Sequence, residues 1–124
     1  MLAYSTIGTN DMARAREFYD ALFGELGAKR MFELDTFTTW GTGPGHPMFA
    51  VAKPYDGGEA SVGNGTMIAI AAKDKDQVKA LYDKARSLGA TCEGEPGPRQ
   101  GGAFTCGYVR DLDGNKLNFF AMGG

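Results

Sequence analysis

Residues 4–28 read YSTIGTNDMARAREFYDALFGELGA, and residues 67–90 read MIAIAAKDKDQVKALYDKARSLGA. The two stretches are copies of one pattern. At an offset of 63, Ile7 meets Ile70, Asp11 meets Asp74, Tyr19 meets Tyr82 and Asp20 meets Asp83. After a one-residue deletion, Leu26-Gly27-Ala28 meets Leu88-Gly89-Ala90. Each copy opens with a β-rich run, residues 2–9 and 65–72. Each run stops at an aspartate able to accept from the free N–H groups that begin a helix. Apolar residues then recur at spacings of three and four. They are Met12, Ala15, Phe18, Tyr19, Leu22 and Leu26 in the first copy, and Val78, Leu81, Tyr82, Ala85 and Leu88 in the second. Gly27 and Gly89 stand where a left-handed helix end needs glycine.

Three strands follow each helix. The expected ranges are 29–34, 36–41 and 47–53, then 91–95, 102–110 and 115–121. Asp111-Leu112-Asp113-Gly114-Asn115 marks the last hairpin, being rich in turn formers. Thr42-Gly43-Pro44-Gly45-His46 stands at the corresponding place in the first half, and at an offset of 69 Gly45 lies opposite Gly114. The chain therefore reads as one domain of two βαβββ modules, about 1–54 and 65–124, joined by a glycine-rich linker over 55–64. A four-stranded sheet covered by one helix leaves its other face open. Two such modules could enclose a cavity of the kind that binds small molecules.

Composition bounds the function. The chain has 124 residues, 43% hydrophobic and 23% charged, which suits a single globular domain. The net charge is -2 and no basic stripe is present, so no nucleic-acid partner is expected. No apolar run approaches the roughly 18–20 residues of a membrane span, and no basic-then-apolar leader is visible. The expected location is the cytoplasm, with Cys92 and Cys106 as reduced thiols.

Two stretches resemble the vicinal oxygen chelate superfamily of glyoxalases, bleomycin-resistance proteins and extradiol dioxygenases. One is the entry into the first helix from Ile7 to Tyr19. The other is Tyr108-Val109-Arg110-Asp111-Leu112-Asp113-Gly114-Asn115-Lys116-Leu117. The resemblance implies an α+β fold of paired βαβββ modules forming a cupped mixed sheet, and a homodimer. It also implies a location for the metal. Metal-dependent members carry His or Gln, Glu, His and Glu on the first and last strands of the modules. Those positions fall here on Tyr4, Phe49, Met67 and Asn118. Phenylalanine has no donor, a thioether suits copper(I), and a lone phenol or amide binds divalent cations weakly. The expectation is therefore no metal and no cofactor.

Alternation along the strands adds Thr39 and Tyr108 to the same faces. Tyr4, Thr39, Phe49, Met67, Tyr108 and Asn118 are the candidate ligand-binding residues. They either line an aromatic pocket or fill the space of a lost metal. Other residues carry less specific readings. His46 is a solvated turn residue or an acid–base group. Cys106 is a buried thiol, and Arg99, in a loop over residues 94–102 that is mobile by composition and could close over the site, is a solvated surface arginine or a contact for an anionic ligand. Trp40 packs behind its sheet, and Arg110 and Asp111 hold their hairpin. Arg14, Arg16, Lys75, Lys79, Lys84 and Arg86 form solvated helix faces.

Two functions compete. The first is a metal-free protein that binds a small aromatic or amphipathic molecule. No acidic cluster suits a strongly cationic drug. The second is a glyoxalase-type lyase or isomerase acting on a small carbonyl compound, metal-independent or with an atypical metal site. No catalytic residue is identified for it, although His46, Glu33 or Tyr4 would have to move the proton. A third reading, a partner-binding module without a pocket, also fits the fold.

Overall fold

Asp11 and Asp74 begin the two helices. Asp11 accepts from the Arg14 N–H at 3.0 Å and Asp74 from the Gln77 N–H at 2.8 Å. Helix α1 spans Met12–Gly24 and α2 spans Lys75–Ser87 in the computed structural model, which describes residues 1–123. Both helices end alike. Ala28 N–H donates to Phe23 O and Gly27 N–H to Gly24 O; Ala90 N–H donates to Ala85 O and Gly89 N–H to Arg86 O. This paired bonding satisfies the last carbonyls and needs a left-handed residue, supplied by Gly27 (φ 69°) and Gly89 (φ 106°).

The strands are β1 (Tyr4–Gly8), β2 (Lys29–Leu34), β3 (Phe37–Gly41), β4 (Met48–Ala52), β5 (Ile68–Ala71), β6 (Thr91–Arg99), β7 (Phe104–Arg110) and β8 (Lys116–Met122). They form two four-stranded mixed sheets, ordered β1-β4-β3-β2 and β5-β8-β7-β6. In each, the first and last strands of the module pair in parallel and the other pairs are antiparallel. The chain divides into two compact units, Met1–Val62 and a second beginning at Gly63. Residues beyond β4 are tied back to the first unit, because Asn10 Nδ2 donates to Ala60 O and Asn10 Oδ1 accepts from Ala60 N–H. No helix among the described residues is long and apolar enough to cross a membrane.

Most strand boundaries fall within one or two residues of the sequence reading, and two differ by more. Strand β5 starts at Ile68, because the chain closes a turn over residues 63–66 in which Thr66 N–H donates to Gly63 O. Strand β6 runs on to Arg99, so residues 94–99 are paired strand and only Gln100–Gly102 form a short 3-10 turn. The expectation of a mobile loop there is corrected. Pro96 and Pro98 fit because β6 is an edge strand with two register shifts, where a missing N–H is tolerated.

One face of each sheet meets its helix. In the first unit Tyr19 packs on Phe49 and Trp40, with ring centroids 4.8 and 5.6 Å apart, and Phe23 lies 5.0 Å from Phe49. Trp40 is buried behind its sheet as expected, and its indole N–H donates to Asp20 Oδ1 at 2.9 Å. Arg30 grips both oxygens of Asp20 at 3.0 and 2.7 Å. Arg16 is not a solvated charge. Its Nε donates to the buried Thr38 hydroxyl at 2.9 Å and its NH2 to Leu34 O at 2.6 Å, since the long side chain reaches over the sheet. In the second unit Val78, Leu81, Tyr82 and Ala85 are buried on α2, with Val109, Leu117 and Phe119 buried on the sheet.

Gly24 and Gly27 predict opposite signs. Gly24 is helical with open space at its Cβ position, so Gly24→Ala should stabilise by about 0.5–1 kcal/mol. Gly27→Ala forces alanine into the left-handed region and should destabilise by about 1–2 kcal/mol. Chemical denaturation of both variants checks the pair.

Asp20 predicts a pH effect. Burial opposes its ionisation, but hydrogen bonds from Arg30 and Trp40, with the charges of Arg30 and Arg16, outweigh burial and lower its pKa. A depressed carboxyl contributes stability that is full above the unfolded value and is lost as pH falls through the folded one. Acid unfolding should therefore begin below the ordinary aspartate range and begin at higher pH in Arg30→Met. Trp40, the sole tryptophan, reports it by fluorescence.

Candidate functional site

The faces turned away from the helices carry the candidate chemistry. Alternation and register place them residue by residue. In the second unit Tyr108 pairs with Asn118, Cys106 with Phe120, Phe104 with Met122 and Arg110 with Lys116. All eight belong to the face opposite α2, because Val109, Leu117 and Phe119 occupy the helix side. In the first unit Thr39 pairs with Ala50, Phe37 with Ala52 and Tyr4 with Met48.

Phe49 is therefore misplaced by the sequence reading. It is buried against Tyr19 and Phe23 on the helix side, and Ala50 takes the position equivalent to Asn118. The cause is loop length. The β3–β4 connection covers residues 42–47, whereas the β7–β8 connection covers 111–115. The first is one residue longer, so the gap-free alignment of Gly45 with Gly114 does not hold beyond the turn. A slip of one residue in a strand exchanges its faces.

The other candidates separate by environment. Tyr4 is 49% exposed and its ring meets Phe37 edge-on at 5.6 Å. Met67 precedes β5 and is 41% exposed. Thr39 is fully buried, and its Oγ1 accepts from the Phe32 N–H at 3.0 Å beside the register shift at Met31. Its oxygen thus serves the strand. His46 is exposed in the β3–β4 connection. Arg110 and Asp111 hold their hairpin as expected. Arg110 donates to Gly114 O at 3.1 Å and to Glu93 at 2.6 Å, while Asp111 Oδ1 accepts from Asp113 and Asn115 N–H.

Tyr108 and Asn118 form the most informative pair. Asn118 is 4% exposed, and its Oδ1 is the one buried side-chain N or O atom without a hydrogen-bond partner among the described residues. Leaving such an acceptor unpaired costs about 1–3 kcal/mol, so it calls for an explanation. Beside it, two cations lie near the Tyr108 ring. The Arg99 guanidinium is 5.6 Å and the Lys116 ammonium 5.3 Å from its ring centroid. A hydrogen bond with the Cys106 thiol, then burial, push the Tyr108 phenol above its ordinary pKa, with Arg99 pulling the other way. Cys106 is buried, as read from the sequence.

Arg99 is fixed rather than solvated. Its NH1 donates to Gly97 O at 2.8 Å and Pro98 O at 3.2 Å, and its NH2 to Glu95 O at 2.9 Å. Two glycines make room for this. A Cβ on Gly94 would stand 2.9 Å from Tyr108 Cδ2, and one on Gly97 3.3 Å from Arg99 NH1. Lys116 and Gly94 were missed by sequence reasoning. Lys116 is two residues before Asn118, so alternation alone could have found it. Gly94 carried no signal, because the shifts in β6 decide what it faces.

The donors do not fit a divalent metal. The positions implied by the resemblance hold Tyr4, Ala50, Met67 and Asn118, which offer no imidazole and no carboxylate. No cluster of three or more His, Cys, Asp or Glu suited to a metal occurs among the described residues.

With this geometry in hand, similarity to known proteins is informative. The family model for the glyoxalase/bleomycin resistance protein/dioxygenase superfamily matches residues 2–119. The chain belongs to that superfamily. A glyoxalase/bleomycin resistance protein from Albidiferax ferrireducens is 30% identical, with a TM-score of 0.89 and 98% of each chain covered. A superfamily enzyme from Burkholderia phytofirmans has 18% identity, a TM-score of 0.77 and 97% coverage of both chains. A lactoylglutathione lyase from Agrobacterium tumefaciens has 18% identity and a TM-score of 0.72, covering 98% of this chain and 92% of its own. The last two share the fold alone. No curated protein gives a significant match.

Gly94→Ala should test the built character of this face. Its methyl must displace the Tyr108 ring, costing about 1–3 kcal/mol as overpacking does. Gly101→Ala in the neighbouring turn has open space but left-handed backbone (φ 65°), so it costs stability without moving Tyr108. NMR shifts of the Tyr108 ring separate the two.

Proposed function

We propose that this protein binds a small aromatic or amphipathic molecule without a metal, through the sheet face that carries Tyr108 and Asn118. The observation behind the reading is the unpaired, buried Asn118 Oδ1. A ligand N–H or O–H would satisfy it, and the neighbouring Tyr108, Phe104 and Phe120 supply apolar surface. Met67, exposed and in the same unit, is a further ligand contact on this reading, whereas Thr39 has its oxygen engaged and Phe49 belongs to the core.

A glyoxalase-type lyase or isomerase is the weaker reading. It needs a group that takes a proton near neutral pH. Tyr108, with its raised pKa, is a poor base there. The reading also takes the protein as a homodimer. Apolar side chains exposed on the first unit support this, Phe32 at 58% and Leu34 at 63%, because such patches usually mark association surfaces.

Native mass spectrometry of untagged protein tests the proposal together with Asn118→Leu. Wild type should retain a small molecule on a dimer. Leucine, with the same branching, removes the orphan acceptor. The ligand-free variant should therefore gain up to about 1 kcal/mol in stability and lose the retained mass. A variant destabilised by more than about 2 kcal/mol would show that Asn118 serves the fold, and the proposal would fall.

A further inference from the structure

The face around Tyr108 has a charge character that binding alone does not require. Arg110, on the same face, is neutralised by Glu93 at 2.6 Å. Arg99 and Lys116 have no carboxylate within ion-pair distance among the described residues, although the chain as a whole is acidic. Three donations from Arg99 go to backbone carbonyls, and a guanidinium has five N–H groups, so two remain for another acceptor. Those carbonyl bonds also hold the guanidinium in place, so little side-chain entropy is lost when an anion arrives. Lys116 is half-buried, and its ammonium lies on the other named contact of the same ring.

The face also has an apolar end. The Phe104 and Phe120 rings meet at a tilt of 36° with centroids 5.1 Å apart. Phe120 follows Asn118 by two residues on β8, about 7 Å along the strand. One small molecule can span both ends.

Resting on the binding reading above, we infer that the ligand is an amphipathic oxyanion. Its carboxylate or phosphate meets Arg99 and Lys116, an N–H or O–H donates to Asn118 Oδ1, and its apolar body lies over Phe104 and Phe120. The charge-assisted bonds set the selectivity, because a neutral isostere keeps the shape and loses the stronger pairing.

Four probes decide the point: 4-hydroxybenzoate, 4-hydroxyphenyl phosphate, the neutral 4-hydroxybenzamide and the cationic tyramine. Each is titrated into full-length, isotope-labelled protein, and backbone amide shifts in β7 and β8 are followed. At least one anion should bind about tenfold tighter than the amide, and the stronger of the two identifies the head group. Lys116→Gln and Arg99→Gln should each reduce that preference several-fold, and added salt should reduce it in wild type. The Lys116 variant keeps the test open if Arg99→Gln disturbs β6. Equal binding of amide and anions, or tighter binding of tyramine, at these amides overturns the oxyanion assignment while the binding reading stands. No shift at these amides with any probe up to about 10 mM overturns both.

Discussion

Each sheet has two unlike faces because one helix, fixed at both ends, covers only one of them. The fixing is chemical. An aspartate side chain stops the chain from extending at the start, and a glycine in the left-handed region turns it at the end. Between those points thirteen residues of helix present one apolar stripe. Whatever strand residues lie under that stripe become core, and their alternate neighbours are left to face elsewhere. Site and core are thus decided by the same register.

That dependence explains what was legible in the sequence. The helix stretches carry a 3.6-residue period, a cap at each end and a repeat at constant offset, so both helices and most strands could be placed from residues alone. Trp40 could be assigned to the core, and Arg110 and Asp111 to their hairpin. Phe49 could not be placed, because its position was carried through a glycine-rich connection with no periodicity. One added residue between β3 and β4 moved Phe49 under α1 and put Ala50 in its place. Arg99 was illegible for a related reason. Pro and Gly over residues 94–98 read as loop, while the edge position of β6 lets the same residues pair as strand.

The two copies keep their helix sides more alike than their opposite faces. Tyr19 and Tyr82 are both buried under their sheets, one against Phe49 and Trp40, the other against Gly107. On the opposite faces the resemblance ends. Where the second unit has Tyr108 and Asn118, the first has Thr39 and Ala50, and Thr39 is spent on the strand backbone. The second unit alone pairs cations without carboxylates with an aromatic ring and an unpaired amide oxygen. The two copies are alike where packing demands it and differ on the faces turned away from the helices.

A consistent sequence satisfies its buried polar groups, and the departures from that rule concentrate where function requires them. Here the departure is a single acceptor, while the other buried side-chain N and O atoms of the described residues are paired. An apolar side chain in its place would leave no unpaired acceptor. Around it stand two glycines that weaken β6 as a strand yet open the space for Tyr108 and Arg99. Each feature alone lowers stability. Together they hold an aromatic ring, a fixed guanidinium and a free carbonyl on one face, and on that combination the proposed ligand binding rests.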